Sequence, residues 1–164
     1  MDVLNSFSLS GKVALMTGGA GLYGRQIAEA LAEAGADTYI ASRNIEALER
    51  VAEEYRGKGL KVTALEFDQG DEDSILKLAS EMEKRAGGCD ILVNNAVLRP
   101  MKKAYKDEAA NFALSMQVNA TGLFVITRAF GDMMAKKGRG SIVNVGSIQG
   151  MIGPDPTIYR GTEM

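Results

Sequence analysis

A glycine-rich segment near the amino terminus has the spacing expected for holding phosphate groups. Its glycines satisfy the pattern G-x-G-x-x-G, directly after an apolar run and before a segment of helical period. Small residues let the backbone approach a diphosphate closely, and the free N–H groups at a helix start attract its charge. The segment predicts a dinucleotide site, unless it is only a glycine-rich turn without a ligand. The candidate cofactor-binding residues are Gly18, Gly19, Gly21, Leu22, Tyr23 and Gly24.

The end of the second predicted strand indicates which dinucleotide is bound. Sites for NAD usually carry Asp or Glu here, about 20 residues after the glycines, to bind the ribose hydroxyls. Ser42 and Arg43 stand at this place. A carboxylate would repel a 2′-phosphate, whereas Ser42 leaves room for it and Arg43 can pair with it. The sequence therefore predicts NADP(H) rather than NAD(H); the alternative is that Arg43 is a solvated residue at a helix entry.

A third pair of polar residues, Asp68 and Gln69, ends the third predicted strand. The carboxyl edge of a parallel sheet is where ligands bind, so Asp68 could accept a hydrogen bond from an adenine amino group. The alternative is that Asp68 belongs with the following acidic residues, which cap and solubilise a helix start. For Asp71, Glu72 and Asp73 we favour that second interpretation.

These candidates must be positioned by an alternating series of strands and helices. Short apolar runs predict strands at 13–17, 38–41, 62–67, 91–93 and 141–145. Amphipathic segments predict helices that end near 34, 56, 85 and 137, the last beginning near 111. Such alternation with short links predicts the α/β class, with one doubly wound parallel sheet of Rossmann type in a three-layer α/β/α domain over residues 1–164.

Composition removes several other classes of function. The formal charge of −2 argues against a nucleic-acid partner. The absence of histidine excludes a Ser-His-Asp triad and His-ligated metal, and we expect no metal site. The single cysteine, Cys89, excludes an internal disulfide. We see no secretory signal and no run of about 18 uncharged apolar residues, so we expect a cytoplasmic protein without a membrane segment.

Four separated motifs, in order along residues 12–150, resemble the short-chain dehydrogenase/reductase family. The glycine motif T-G-x-x-x-G-x-G is matched by Thr17, Gly18 and Gly24, but Leu22 occupies one glycine position. The family's N-N-A-G is present as Asn-Asn-Ala-Val at 94–97. The third and fourth motifs are Gln-Val-Asn-Ala, which contains Asn119, and the end of the fifth strand, which carries Ser147.

The resemblance implies roles for these residues. Asn94 would brace the central sheet, and Asn95 with Ala96 would line the adenosine ribose. Asn119 and Ser147 would be catalytic: the asparagine would hold a water in a proton relay, and the serine would hydrogen-bond the substrate oxygen. From residue type alone, Ser147 could merely cap a turn.

The family's general acid/base is a tyrosine in Tyr-x-x-x-Lys, about a dozen residues beyond the serine. Tyr159 has that spacing, but Glu163 stands where the lysine is expected. A carboxylate would raise the tyrosine pKa, the wrong direction for catalysis, so Tyr159 is not assigned a catalytic role. A Rossmann sheet of this type has six strands, and five are predicted. We therefore expect the amino-terminal part of a longer enzyme, or a degenerate relative.

The function expected from the residues and the resemblance is NADP(H)-dependent hydride transfer to or from a carbonyl or secondary alcohol carbon. The segment 146–151 is similar to sugar-acid or polyol members such as gluconate 5-dehydrogenases. The resemblance also implies a homo-oligomer that uses the helix at 111–137. The alternative is a dinucleotide-binding module without turnover. A methyltransferase ranks low, because Ser42 stands where an acidic residue is usual.

Overall fold

Five parallel strands form one sheet in the order β3-β2-β1-β4-β5. They belong to a computed structural model that describes residues 3–103, 106–153, 155, 157, 160 and 161. The strands are β1 (Val13–Thr17), β2 (Asp37–Ser42), β3 (Val62–Glu66), β4 (Ile91–Asn94) and β5 (Ser141–Asn144). The chain runs outward from β1 to β3 and then crosses to the other side of β1 for β4 and β5. The α/β class and the doubly wound sheet predicted from the sequence are confirmed.

The helices cover both faces of the sheet. They are α1 (Leu22–Glu33), α2 (Ile45–Gly57), α3 (Glu72–Ala86), α4 (Ala109–Met116) and α5 (Leu123–Lys137). A π-helical turn, Gln117–Gly122, joins α4 to α5, so the three pieces form one long helical segment. Short 3₁₀ turns lie at Leu4–Phe7 and Ile148–Gly150.

The two sides of the sheet bury separate apolar layers, because successive strand residues point to opposite faces. Leu15 and Leu92 face α3 and α5 and pack in a cluster that includes Phe130. Met16 faces α1 and α2 and packs in a second cluster with Leu48. All five side chains are fully buried. Burial on both faces explains why the strands appear in the sequence as continuous apolar runs rather than as alternating ones.

Two element boundaries carry functional residues that the sequence pattern left out of the strands. Ser42 pairs in register with Glu66, and Asn94 pairs with Asn144, so β2 and β4 each extend one residue further than predicted. The predicted helix at 111–137 begins at Ala109 and is interrupted by the π-helical turn. The sequence gives no sign of this interruption, because the residues on both sides of the turn keep a helical period.

The amino ends of three strands meet at Asp90, whose side chain is buried. Asp90 accepts a hydrogen bond from the N–H of Val13 at 3.0 Å, and its own carbonyl accepts one from the N–H of Ser141 at 2.9 Å. Arg139 lies 3.5 Å from the carboxylate. Burial alone would raise the pKa of Asp90, but the Val13 N–H and the nearby Lys137, Arg139 and Lys12 charges outweigh it and hold the pKa below its usual value.

The long helical segment Ala109–Lys137 has the length and hydropathy of a membrane-crossing helix. This corrects the expectation that no such run exists, because residues 109–127 carry no charged side chain. Of its most apolar stretch 22% is buried, and Ile126, Phe130 and Met134 pack in the apolar cluster against the sheet.

Candidate dinucleotide site

The sheet order creates a crevice at the carboxyl ends of β1 and β4. Connections leave these neighbouring strands in opposite directions, which is where open α/β sheets bind ligands. Thr17 closes the bottom of the crevice: its hydroxyl accepts hydrogen bonds from the N–H groups of Asn95 and Ala96, both at 3.0 Å. The side-chain amide of Asn95 donates to the Thr17 carbonyl at 3.1 Å. The loops after the two strands are therefore held in fixed relation.

The glycine loop lies between β1 and α1 and is shaped by contacts that only glycine allows. Gly18 has φ +73°, and a Cβ there would meet Asn95 Nδ2 at 3.0 Å. A Cβ on Gly24 would lie 2.1 Å from the carbonyl oxygen of Gly18, and one on Gly19 would lie 2.5 Å from Ile40. The loop therefore packs tightly on β2 and on α1, with Gly18 left facing the crevice.

The start of α1 offers backbone donors next to this loop. Gly21 is the residue before the helix and makes no side-chain cap, so the first N–H groups of α1 keep the free donors typical of a helix start. Leu22 and Tyr23 are the first helical residues, and their side chains are 76% and 68% exposed. Their contribution to a ligand would be made by backbone N–H groups rather than by side chains.

An open groove of about 260 Å³ continues from the glycine loop across the ends of β2 and β3. It brings together most of the predicted cofactor-binding residues. The lining comprises Gly18, Ala20, Gly21, Ser42, Arg43, Phe67, Asp68, Gln69, Asn95, Ala96, Val97, Leu98 and Val118. Four predicted residues do not line the groove: Gly19 and Gly24 shape the loop, and Leu22 and Tyr23 begin α1.

Arg43 is the cation at the end of this groove that lies beyond β2. Its side chain is exposed, and Ser42 beside it is half-buried. Neither residue is a carboxylate, but Glu66 pairs with Ser42 in the sheet register and lies on the neighbouring surface that Arg43 also lines. The β2 end therefore presents a positive charge to a ligand in the groove, with an acidic residue one strand away.

The two residues at the end of β3 have different local partners. Asp68 accepts a hydrogen bond from the N–H of Gly70 at 2.8 Å, while its own N–H donates to Ser74 Oγ at 2.9 Å. Gln69 is 5% exposed, and its side-chain amide donates to the Val118 carbonyl at 3.0 Å. Asp71 caps α3 by accepting from the N–H of Asp73, as the helix-capping interpretation predicts.

Asn94 lies at the carboxyl end of β4, beneath the groove. Its side-chain amide donates to Asn144 Oδ1 at 2.9 Å and to Thr127 Oγ1 at 3.3 Å. These two bonds connect β4 with β5 and α5. They are the contacts expected of a residue that braces the sheet, and they place Asn94 under the site rather than in it.

Asn119 lies in the π-helical turn and reaches the groove wall. Its Oδ1 accepts from the N–H of Leu98 at 2.9 Å, and its Nδ2 donates to the Leu98 carbonyl at 2.6 Å and to Ser115 Oγ at 3.2 Å. The side chain thus pairs with both backbone groups of Leu98, as a neighbouring strand would, and holds the loop after β4. A half-buried asparagine in mid-helix has a polar role here, as its low helix propensity suggests.

Ser147 follows β5 and is exposed. Its Oγ accepts a hydrogen bond from the N–H of Gln149 at 3.2 Å, so it begins the 3₁₀ turn Ile148–Gly150. It does not line the groove, and in the described part of the chain no hydrogen bond joins it to Asn119. Tyr159 and Glu163 lie outside the described residues.

Sequence reasoning does not assign several residues that line the groove or support it. The lining residues are Ala20, Phe67, Val97, Leu98 and Val118, and Thr17 supports the groove from below. Thr17 belongs to the glycine motif, but its hydroxyl contacts depend on the approach of β4, which lies far away in the sequence. Leu98 and Val118 become wall residues because the π-helical turn packs beside the loop after β4.

The geometry fits a dinucleotide. A glycine at positive φ faces the crevice, backbone donors begin a helix beside it, and a cation stands at the far end of the groove. A glycine loop beside a helix start holds a diphosphate, and a cation can pair with the charged groups of a nucleotide. The fold and the site together define a Rossmann-type dinucleotide-binding protein.

Comparison with known proteins defines the family. A family model described as short chain dehydrogenase matches residues 12–160. The chain belongs to this family of oxidoreductases. It is 33% identical over 143 residues to gluconate 5-dehydrogenase of Gluconobacter oxydans, covering 87% of this chain and 56% of that protein.

Solved structures agree with this assignment. A short-chain type dehydrogenase/reductase from Mycobacterium marinum superposes with a TM-score of 0.89 at 34% identity, covering 95% of this chain and 64% of that one. A gluconate 5-dehydrogenase from Burkholderia cenocepacia, in complex with NADP and tartrate, gives 0.86 at 33% identity, covering 93% and 60%. The chain spans less than two thirds of the length of each of these relatives.

Proposed function

We propose that this chain supplies the cofactor-binding half of an NADP(H)-dependent oxidoreductase. The cofactor, when bound, would exchange a hydride with a carbonyl or secondary alcohol carbon of the substrate. The observation that carries the proposal is the crevice beside the glycine loop, where Gly18 faces a groove that ends at Arg43. The family assignment supports the reaction type, because the relatives are dehydrogenases and reductases.

The preference for NADP(H) over NAD(H) rests on Arg43. A guanidinium at the β2 end can pair with a 2′-phosphate, and this pairing is absent when NAD⁺ binds. The Burkholderia structure that holds NADP supports the same choice. The acidic Glu66 nearby is the feature that would favour the ribose hydroxyls of NAD⁺ instead.

Calorimetric titration with both cofactors tests the preference. We expect NADP⁺ to bind more tightly than NAD⁺, and Arg43→Ala to raise the Kd for NADP⁺ by about tenfold or more while changing that for NAD⁺ by no more than about twofold. Arg50→Ala removes another exposed arginine, from α2 and outside the groove, and is the matched control. Tighter binding of NAD⁺ by the unaltered chain would overturn the assignment.

For the substrate we propose a sugar acid or a polyol. The similarity to gluconate 5-dehydrogenase and the tartrate in the Burkholderia structure support this class. Ser147 would hydrogen-bond the substrate oxygen, and Asn119 would hold a water. The test is absorbance of NADPH in the presence of keto sugar acids, ketoses and simple ketones; turnover with simple ketones alone would refute the class.

We also propose that the protein is a homo-oligomer. Large apolar side chains stand on the outer face of the long helical segment, with Phe112 55% and Phe124 61% exposed. Exposed apolar patches of this kind are typical of protein interfaces. Light scattering coupled to size-exclusion chromatography measures the mass directly, and a monomer at micromolar concentration would contradict the proposal.

A second candidate is a dinucleotide-binding module without turnover. It is favoured by one residue, Glu163, which stands where the family has the lysine of Tyr-x-x-x-Lys. Under this alternative the chain binds NADPH, and no substrate of the panel causes its oxidation. Steady oxidation of NADPH by the 164-residue chain would exclude it.

A further inference from the structure

Gln69 joins the three parts of the chain that wall the groove on the side of β3 and β4. It lies in the turn after β3, and its side-chain amide donates to the carbonyl of Val118 at 3.0 Å and to that of Ala96 at 3.5 Å. The first carbonyl belongs to the π-helical turn and the second to the loop after β4. Gln69, Ala96 and Val118 all line the groove.

The orientation of this amide is fixed by its two partners. Both are carbonyl oxygens, so only the NH₂ group of Gln69 can face them. The other atom, Oε1, is buried and has no hydrogen-bond partner among the described residues. A buried acceptor without a partner is unfavourable, so the hydrogen bonds that hold this side chain are the two that its NH₂ group donates.

The backbone of Gln69 makes a second contact with the π-helical turn. A Cβ on Gly122 would lie 1.9 Å from the Gln69 carbonyl oxygen, so the helix backbone packs directly against this residue. Next to it, the Gln117 side-chain amide donates to the carbonyl of Gly70 at 3.0 Å. The turn after β3 therefore contacts the first two residues of the π-helical turn and its last one.

The bond to Val118 also acts on the following residue. The Val118 carbonyl and the Asn119 N–H belong to one planar peptide group, so fixing the carbonyl fixes the backbone of Asn119. Asn119 in turn binds both backbone groups of Leu98 in the groove wall. From this we infer that Gln69 is a positioning residue, which holds the groove wall at 96–98 and the Asn119 peptide in register with the end of β3.

Hydrogen exchange in the protein without cofactor tests the inference directly. Gln69→Met keeps an unbranched side chain of similar length and removes the donor. We expect amide exchange to become at least about tenfold faster in two segments together, 96–98 and 118–122, which corresponds to about 1.4 kcal/mol of local stability. Gln117→Met is the matched control, because it deletes a bond between the same two turns but keeps the Gln69 bonds to Ala96 and Val118. Amide exchange in 96–98 should be unchanged in this variant. Unchanged exchange in either segment of Gln69→Met would overturn the inference.

The cofactor provides the measurement that a merely structural role would not move. In the unaltered protein we expect NADP⁺ to slow exchange in both segments. In Gln69→Met the Kd for NADP⁺ should rise by about tenfold, and the slowing in 118–122 should be lost. This part of the test rests on the proposed function: if the unaltered chain binds no NADP⁺, the proposed function fails, while exchange without cofactor still decides the role of Gln69.

If Gln69→Met does not fold, the unaltered protein still gives an answer. The side-chain NH₂ resonances of Gln69 should exchange slowly with D₂O, because the group is buried and donates to carbonyls. Those of the exposed Gln117 should exchange rapidly. Rapid exchange at Gln69 would show that the bonds are not maintained in solution and would refute the inference.

Discussion

Replacing Gly24 by alanine tests whether close packing controls the glycine loop. Gly24 lies in the first turn of α1, and an added Cβ would sit 2.1 Å from the carbonyl oxygen of Gly18. Real Cβ atoms do not approach heavy atoms below 3.0 Å, so the backbone would have to move by about an ångström. Because the obstacle is backbone, it cannot rotate away as a flexible side chain would.

The magnitude is set by two opposing effects. Alanine in place of glycine inside a helix stabilises by up to about 1 kcal/mol. Forcing an extra methyl group into a closely packed site typically destabilises by about 1–3 kcal/mol. We expect Gly24→Ala to lower the free energy of unfolding by about 1–2 kcal/mol, which lowers Tm by several degrees in a protein of this size. Because Gly18 faces the crevice, NADP⁺ affinity should fall as well.

A second glycine provides the control for this experiment. Gly131 is also helical, in α5, but a Cβ there would meet only Ile142 Cδ1 at 3.8 Å, an ordinary contact. Gly131→Ala should therefore raise the free energy of unfolding by up to about 1 kcal/mol. Urea denaturation of both variants measures the difference. If Gly24→Ala is as stabilising as Gly131→Ala, the loop is not closely packed and the reasoning is wrong.

Buried groups elsewhere in the fold give three more testable outcomes. The pKa of Asp90 is lowered in the folded state, so its contribution to stability is present above the ordinary carboxyl pKa and is lost as the pH falls through the folded value. Asp90→Asn should therefore destabilise the protein at neutral pH and have the same stability as the unaltered chain in acid. Urea denaturation at both pH values measures the difference. Burial raises the pKa of the Cys89 thiol to about 12, so a thiol reagent at mildly alkaline pH should label it only when denaturant opens the protein; rapid labelling of the folded chain would contradict this. Tyr55→Phe removes a hydroxyl that donates to the Arg25 carbonyl at 2.8 Å and should lower the free energy of unfolding by about 1 kcal/mol in the same denaturation assay, without changing NADP⁺ affinity.

The parts of the fold set by local sequence are predictable. Each strand is an apolar run bounded by turn residues, and Gly35, at φ +100°, ends the first helical region as its position suggests. The glycine loop is predictable because its spacing reflects contacts between near neighbours in the chain, such as that between Gly18 and Gly24. Asp71 is confirmed as a helix cap, since capping depends on the next two residues alone.

The parts that depend on distant contacts are not predictable from the sequence. The π-helical turn leaves the apolar period intact, and its partners, Gln69 and Gly70, lie almost fifty residues earlier in the chain. The same holds for the hydroxyl of Thr17, which accepts from Asn95 across two neighbouring strands. The position of Gln69 at the end of β3 predicts that it lines the groove. Its hydrogen bonds to the carbonyls of Ala96 and Val118 cannot be predicted, because these residues lie far away in the sequence.

The π-helical turn also determines which length changes the helical segment can absorb. A turn of this kind accommodates one residue more than a regular α-helix, whereas each residue gained or lost in a regular helix rotates the rest of that helix by about 100°. Removing one residue from Gln117–Gly122 would therefore leave Phe130 and Met134 facing the sheet and change only the turn that carries Asn119, with its contacts to Gln69 and Gly70. The same deletion early in Leu123–Lys137 would bring Thr127, Gly131 and Ala135 to the places of the buried Ile126, Phe130 and Met134. The core would lose large apolar side chains, so relatives of different length should carry their gaps in the π-helical turn.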